Sequence, residues 1–154
     1  MARSGFLRGG ILSTLLVLLA PLASQAVEPV NKTFLGGLAI EGYDPVSYFT
    51  DGKAVKGSKE HEHSWRGATW RFATAAHRDT FAAEPEKYAP QYGGYCAYAV
   101  AKNTTAGIDP EQWTVHEGRL YLNYDRKIQA TWLEDKAGYI AKANENWPRM
   151  VDEE

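Results

Sequence analysis

Two adjacent glycines, Gly93 and Gly94, stand just before Cys96, the only cysteine of the chain. Glycine accepts positive φ and close backbone approach, so the pair predicts a tight bend that fixes the position of Cys96. Residues 97–101 predict a short helix, whose N-terminal dipole would favour the thiolate form of that cysteine. The alternative is a buried cysteine that packs as a small apolar side chain.

Residues 1–26 have the pattern of a secretory signal peptide. Arg3 and Arg8 charge its start, residues 11–19 are almost wholly apolar, and small residues occupy positions 24–26. The apolar run is shorter than the ~20 residues that span a bilayer. We therefore expect cleavage after residue 26 and a periplasmic or secreted protein that is soluble and has no membrane span.

A single cysteine is informative in an exported chain. It cannot form an internal disulfide, although that compartment would permit one. An odd thiol there is exposed to oxidation and mispairing. Cys96 is therefore expected to be hidden, bound to a ligand, or reactive.

The charge of the chain excludes some partners. The formal net charge is −2, and no basic run follows the signal segment. Nucleic acid and anionic membranes are therefore not expected as partners, and a metal ion or a small molecule fits better.

Two β-hairpins are predicted from alternating strands that flank turn residues. The first comprises residues 61–66 and 68–73 around Gly67. The second comprises residues 113–116 and 119–123 around a Glu-Gly turn.

Short helices are expected after capping residues. Asp44 should cap one turn over residues 45–49, and Thr74 a helix over residues 75–83. Asp125 should cap a C-terminal helical region, which Gly138 would divide and Pro148 would end. The predicted fold class is α+β: a small single domain of two antiparallel hairpins packed with short helices and this C-terminal region. Residues 27–37 read as a flexible leader, 38–148 as the domain and 149–154 as an acidic tail.

Three histidines are candidate metal ligands. His77 lies on the helix after Thr74, and His61 and His63 are two apart on a strand, so both face one side. A thiolate with imidazoles suits copper or zinc. The alternatives are a surface histidine at position 77 and a solvated pair at 61 and 63; His116, just before a hairpin turn, is a weaker candidate.

Four tyrosines, namely Tyr43, Tyr95, Tyr98 and Tyr121, are candidates for the walls of a pocket around the thiol. A phenol can donate a hydrogen bond to a thiolate or a bound anion. Core packing explains these tyrosines equally well. Asp44 likewise has a sufficient role as a helix cap, with a direct site role as the alternative.

Catalytic motifs of several enzyme classes are absent from the sequence. It contains no Ser-His-Asp order, phosphate-binding glycine loop, HExxH pair or CxxC pair. Redox chemistry at Cys96 would therefore need a partner thiol or a one-cysteine sulfenate cycle. No enzyme class is indicated.

Several segments together resemble the YHS domain family, and in particular its exported, stand-alone branch. They are residues 42–49, 70–73, 88–97, 113–115 and 118–123. The resemblance extends over about residues 38–148.

This resemblance has two implications for chemistry. YHS domains attached to metal-transporting ATPases resemble cysteine-rich metal-binding modules, but their cysteines stand where this chain has Ser47, Ala73 and His77. In the exported branch, the position of Cys96 holds cysteine or selenocysteine, which implies reactive chemistry there.

Three hypotheses follow. The first is a metal-handling protein, with one copper or zinc ion bound by Cys96, His77 and His61 or His63, and copper favoured. The second is a single-cysteine redox protein without a metal. The third is a non-catalytic module that binds a small ligand or partner in a tyrosine-lined pocket.

Overall fold

A computed structural model describes residue 5 and residues 26–151 of the chain. Most of the predicted signal peptide and the last three residues of the predicted acidic tail lie outside the described residues. In the described part, no helix is both long and apolar enough to cross a bilayer.

The first hairpin pairs β1 (Ser58–Trp65) with β2 (Ala68–Phe72) in antiparallel fashion. Arg66 and Gly67 form its turn, and both have positive φ, as two-residue hairpin turns of the right twist require. The predicted hairpin is confirmed, but β1 begins before residue 61. The register of the pairing shifts between Ser58 and Glu62. Beyond this shift β1 pairs with β2 again, with Ser58 opposite Phe72, so the strand starts earlier than predicted.

The second hairpin pairs β3 (Trp113–His116) with β4 (Arg119–Leu122), again antiparallel. Its turn at Glu117 and Gly118 also has positive φ at both residues. With helices packed around two such hairpins, the predicted α+β fold class is confirmed.

The described part contains six α-helices: α1 (Ser47–Thr50), α2 (Ala75–Ala83), α3 (Pro85–Tyr88), α4 (Ala97–Ala101), α5 (Arg126–Glu134) and α6 (Lys136–Met150). Thr74 and Asp125 cap α2 and α5, as predicted.

The C-terminal region divides at Asp135 instead of Gly138, because Asp135 Oδ1 accepts from the Gly138 N–H at 3.1 Å and starts α6. A Cβ at position 138 would overlap that carboxylate. Pro148 lies inside the last turn of α6.

The core has two apolar clusters that meet at the glycine bend. The first, built on Trp70, Phe72 and Phe81, includes Cys96. The second contains Trp132 and Val100 and includes other residues of α4 and α6. After the bend, a 3-10 turn over Gln91–Gly94, Cys96 joins the first cluster, and Ala97, Val100 and Ala101 of the following helix join the second.

The segment predicted as a flexible leader is packed at its start. Val30 is buried, the Asn31 N–H donates to the Gly93 carbonyl at 2.9 Å, and the Asn31 side chain donates to Gly94. Phe34 and Leu35 are the large apolar side chains of this segment that are widely exposed. At the other end Val151 is buried. The packed unit therefore extends beyond residues 38–148 at both ends. At the N-terminal end it does so through contacts with a bend about 60 positions away, which local sequence does not reveal.

Substitution of Gly93 by alanine should destabilise the fold strongly. Gly93 has a φ of +60°, and a Cβ there would overlap the Pro29 carbonyl. We expect a loss of more than ~2 kcal/mol in the free energy of unfolding, measured by urea denaturation.

Gly118→Ala is the matched control, since Gly118 also has positive φ but faces open space. It should cost about 1 kcal/mol from backbone strain alone. Equal losses of unfolding free energy in the two variants would show that the close approach of Pro29 to Gly93 does not matter for stability.

Candidate functional site

The Asp44 carboxylate is fully buried and accepts hydrogen bonds from three backbone N–H groups. Oδ1 accepts from Val46 at 2.9 Å and Ser47 at 3.3 Å, at the start of α1. Oδ2 accepts from Ala73 at 2.9 Å, directly after β2. α1 begins at Ser47 with Val46 at its N-cap position, so the helix starts two residues later than predicted and Asp44 lies just before it. The Asp44 carboxylate still accepts from N–H groups at this helix start, and it also reaches a second element.

His77 is the fourth partner of this carboxylate. Its Nδ1 lies 2.6 Å from Asp44 Oδ2, and a carboxylate oxygen is an acceptor, so Nδ1 carries the proton. Nε2 is then the ring nitrogen with a free lone pair, and its neighbour is Thr50 Oγ1 at 3.4 Å. The side chain is 18% exposed. His77 is therefore an oriented imidazole in a partly exposed position, and its Nε2 is the ring nitrogen that remains to bind a metal ion.

Ser47, Ala73 and His77 each bond to Asp44 and so lie around one carboxylate. These are the three positions where the ATPase-linked YHS domains carry cysteine. Ser47 Oγ is buried and has no hydrogen-bond partner among the described residues. Of the three, only His77 offers a ligand that metals of the copper and zinc type prefer.

Cys96 is the N-cap residue of α4 and is 1% exposed. Its Sγ–H donates to Asn123 Oδ1 at 3.6 Å. Burial raises the pKa of the thiol above its ordinary value, while the backbone N–H groups of Ala99, Tyr124 and Tyr98 act in the opposite direction. Cys96 is therefore a protonated thiol at neutral pH, and burial outweighs the helix dipole that favoured a thiolate.

Asn123 is a residue of this second site that sequence reasoning missed. It is fully buried, and its Oδ1 also accepts from the Tyr98 N–H at 3.3 Å. Its Nδ2 is buried with no partner among the described residues. The only local signal was a polar residue directly after an apolar strand, which says nothing about a sulfur 27 positions away.

Among the described residues, no hydrogen bond links the predicted metal ligands to one another. The hydrogen-bond partners of His77 and Cys96 have no residue in common. His61 and His63 do share one half-buried face of β1, and His63 packs edge-on against Phe81, so they are not a solvated pair. In the part of the chain that the structure describes, no three His, Cys, Asp or Glu residues are placed to hold a metal ion.

The four candidate tyrosines divide between the two apolar clusters. Tyr43 and Tyr98 pack against the first cluster, which contains Cys96, and Tyr98 also lies against Tyr139. In the second cluster, the Tyr95 ring packs at a tilt against Trp147 and the Tyr121 ring against Trp132. Burial raises the pKa of both Tyr95 and Tyr121, so their phenols stay neutral. Core packing is the role that these contacts support.

Residues 46–92 match the family model of the YHS domain, from the start of α1 into the glycine bend. This segment of the chain is a YHS domain. The YHS domain is generally linked to metal handling, copper in particular. Asp44 lies two residues before the matched segment, which contains Ser47, Ala73 and His77 but not Cys96 or Asn123. Neither the curated proteins nor the solved structures gave a significant match.

Replacement of Asp44 by asparagine should destabilise the protein by ~3 kcal/mol or more, because the amide turns a donor toward N–H groups that need an acceptor. Chemical denaturation measures the loss. Asp125→Asn is the control, since Asp125 also caps a helix but accepts from a single N–H group, that of Ile128. It should cost about 1 kcal/mol or less. A similar loss in both variants would reduce Asp44 to an ordinary cap.

The Cys96 thiol should react slowly in the folded protein. We expect alkylation by iodoacetamide at pH 7 to be slower than in the denatured chain by about tenfold or more, since both burial and the raised pKa withhold the thiolate. Mass spectrometry of the alkylated fraction over time gives the two rates.

The raised pKa of Cys96 also makes the stability of the fold depend on pH. Above the ordinary thiol pKa of about 8.5, the unfolded chain has lost this proton and the folded chain still holds it, so the contribution to stability falls as pH rises. Cys96→Ala lacks this contribution and should lose less stability between neutral and alkaline pH. Fast alkylation at pH 7, or identical pH profiles, would contradict a buried neutral thiol.

Proposed function

We propose that this protein handles a transition-metal ion, with copper favoured over zinc, and that His77 receives the ion. The observation that carries the proposal is the 2.6 Å contact between His77 Nδ1 and the buried Asp44 carboxylate. It leaves Nε2 as the ligand atom at the surface of a domain whose class is linked to metal handling.

The Asp44–His77 pair has the chemistry of a prepared ligand. Histidines that bind metals commonly donate their other ring N–H to a carboxylate, which fixes the tautomer and makes the ligating nitrogen more basic. Asp44 is itself held by three N–H groups, so the imidazole is well oriented.

The number of ligands favours copper as a transient cargo. One imidazole, with water in the other positions, is far from the four protein ligands of a structural zinc site. Copper(II) binds a given nitrogen donor more tightly than zinc does. A weak site at the surface suits a protein that accepts an ion and passes it on.

Cys96 is not the receiving ligand in this proposal, because its thiol is buried and protonated. Redox chemistry at Cys96 is a second candidate function. It is favoured by the backbone N–H groups of Ala99, Tyr124 and Tyr98, which would stabilise a thiolate once one formed. It would require a partner thiol or a one-cysteine sulfenate cycle, and access of the reactant to the buried sulfur.

The proposed compartment is the periplasm or the exterior of the cell, on the signal-peptide pattern of residues 1–26. The intact mass of the protein recovered from the host shows whether the chain starts after Ala26.

His77→Gln should lose copper binding. We expect titration of the wild-type protein with Cu(II) to show one bound ion per chain, with nitrogen hyperfine coupling in the electron paramagnetic resonance spectrum. His77→Gln should weaken binding by about tenfold or more, and Asp44→Asn by about 10- to 100-fold where it remains folded.

His116→Gln is the matched control, since His116 is a partly exposed histidine on β3 outside the Asp44 site. It should bind copper as the wild type does. Full binding by His77→Gln would disprove the proposal. Loss of binding in Cys96→Ala, with His77→Gln intact, would assign the ion to the thiol.

A further inference from the structure

We propose that a cavity of about 370 Å³ binds a small monoanion with a flat apolar body, such as an aromatic carboxylate. The cavity lies between the turn of the first hairpin, the glycine bend and the C-terminal end of α6. None of its described lining residues is a histidine or a cysteine. The site is therefore separate from His77 and Cys96 and does not depend on the proposed metal handling.

Aromatic rings from different parts of the chain form the walls. Trp65 and Trp70 come from the first hairpin, Tyr92 from the bend and Trp147 from α6. Trp65 packs on Trp70 with ring centroids 5.8 Å apart, and Tyr92 on Trp147 with centroids 6.2 Å apart. The YHS segment supplies three of these rings and the C-terminal helix the fourth. Such junctions between structural units, lined by aromatic rings with a few polar groups, are where small-molecule sites occur.

The charges at the cavity leave one cation uncompensated. Arg66 stacks on Trp65 at 4.6 Å and forms an ion pair with Glu86 at 3.2 Å. Arg119 also lines the cavity and has no ion-pair partner among the described residues; its one bond to them is to Gln91 at 3.5 Å. A net positive charge thus stands at an aromatic cavity in a chain whose net charge is −2. A guanidinium with free donors binds a carboxylate in bidentate fashion.

Two polar side chains of the lining, Tyr92 and Asn144, already bond to each other. The Tyr92 hydroxyl donates to Asn144 Oδ1 at 2.9 Å, so this hydroxyl is already satisfied and the Asn144 amide is fixed at the cavity edge. The volume lies near the lower end of the range of about 300–1,000 Å³ typical of ligand sites, which suits one or two fused rings better than a peptide or a nucleotide.

Binding of 1-naphthoate tests the proposal, with the neutral 1-naphthamide as an isosteric comparison. Three of the five tryptophans line the cavity, so quenching of intrinsic fluorescence reports occupancy. With the protein purified as the cell produces it, we expect saturable binding of naphthoate, and binding of naphthamide that is about tenfold weaker.

Arg119→Gln should lower the affinity for naphthoate about tenfold and leave naphthamide nearly unchanged. Arg126→Gln replaces an exposed arginine of α5 that does not line the cavity, and should change neither affinity. Indole N–H signals of Trp65, Trp70 and Trp147 should shift in the NMR spectrum on titration, while those of Trp113 and Trp132 should not.

Three results would overturn the proposal. They are the absence of saturable binding at millimolar naphthoate, equal affinity for the acid and the amide, and signal shifts confined to Trp113 or Trp132. Because His77→Gln leaves this cavity intact, it should bind naphthoate normally whether or not the proposed metal handling is correct.

Discussion

The buried carboxylate of Asp44 is the contact on which the YHS part of the structure depends. An unpaired carboxylate in a protein interior costs several kcal/mol, so Asp44 is tolerated only while N–H groups from the starts of α1 and α2 and the end of β2 surround it. Because all three elements donate to this one carboxylate, it also holds them next to one another. It also orients the imidazole of His77, so the same carboxylate that joins these elements fixes the direction of that side chain.

A second constraint operates outside the matched YHS segment. The glycine bend must approach the backbone at Pro29 closely, and in doing so it passes the chain from the first apolar cluster to the second. Asn146 on α6 fixes the far side of this arrangement by donating to the Val100 carbonyl at 2.9 Å. The leader, α4 and α6 therefore form one packed layer. Trp147 of α6 and Val30 of the leader also line the aromatic cavity.

The features that the sequence predicted well are those with local causes. Both hairpin turns, the caps at Thr74 and Asp125, and the helix after Cys96 follow from residues within a few positions of each other. The misses are contacts across long stretches of chain. Asp44 was recognised as a cap, but its bond to His77, 33 positions away, was not, and Asn123 was not connected with Cys96. The pKa of Cys96 follows the same pattern. The helix dipole, which lowers it, is a local effect that the sequence predicts, whereas the burial that raises it depends on the tertiary fold.

The contrast between His77 and Cys96 has a physical rationale if the chain is exported as proposed. A lone thiol at the surface of an exported protein would be oxidised or mispaired through its thiolate. Burial removes both conditions for that reaction, because it blocks access and keeps the proton on the sulfur. An imidazole needs no such protection, since it does not oxidise readily and exchanges ligands at the surface. The fold therefore buries its sulfur, bonded to Asn123, and leaves the imidazole of His77 partly exposed. This difference favours His77 over Cys96 as the group that would meet an incoming ion.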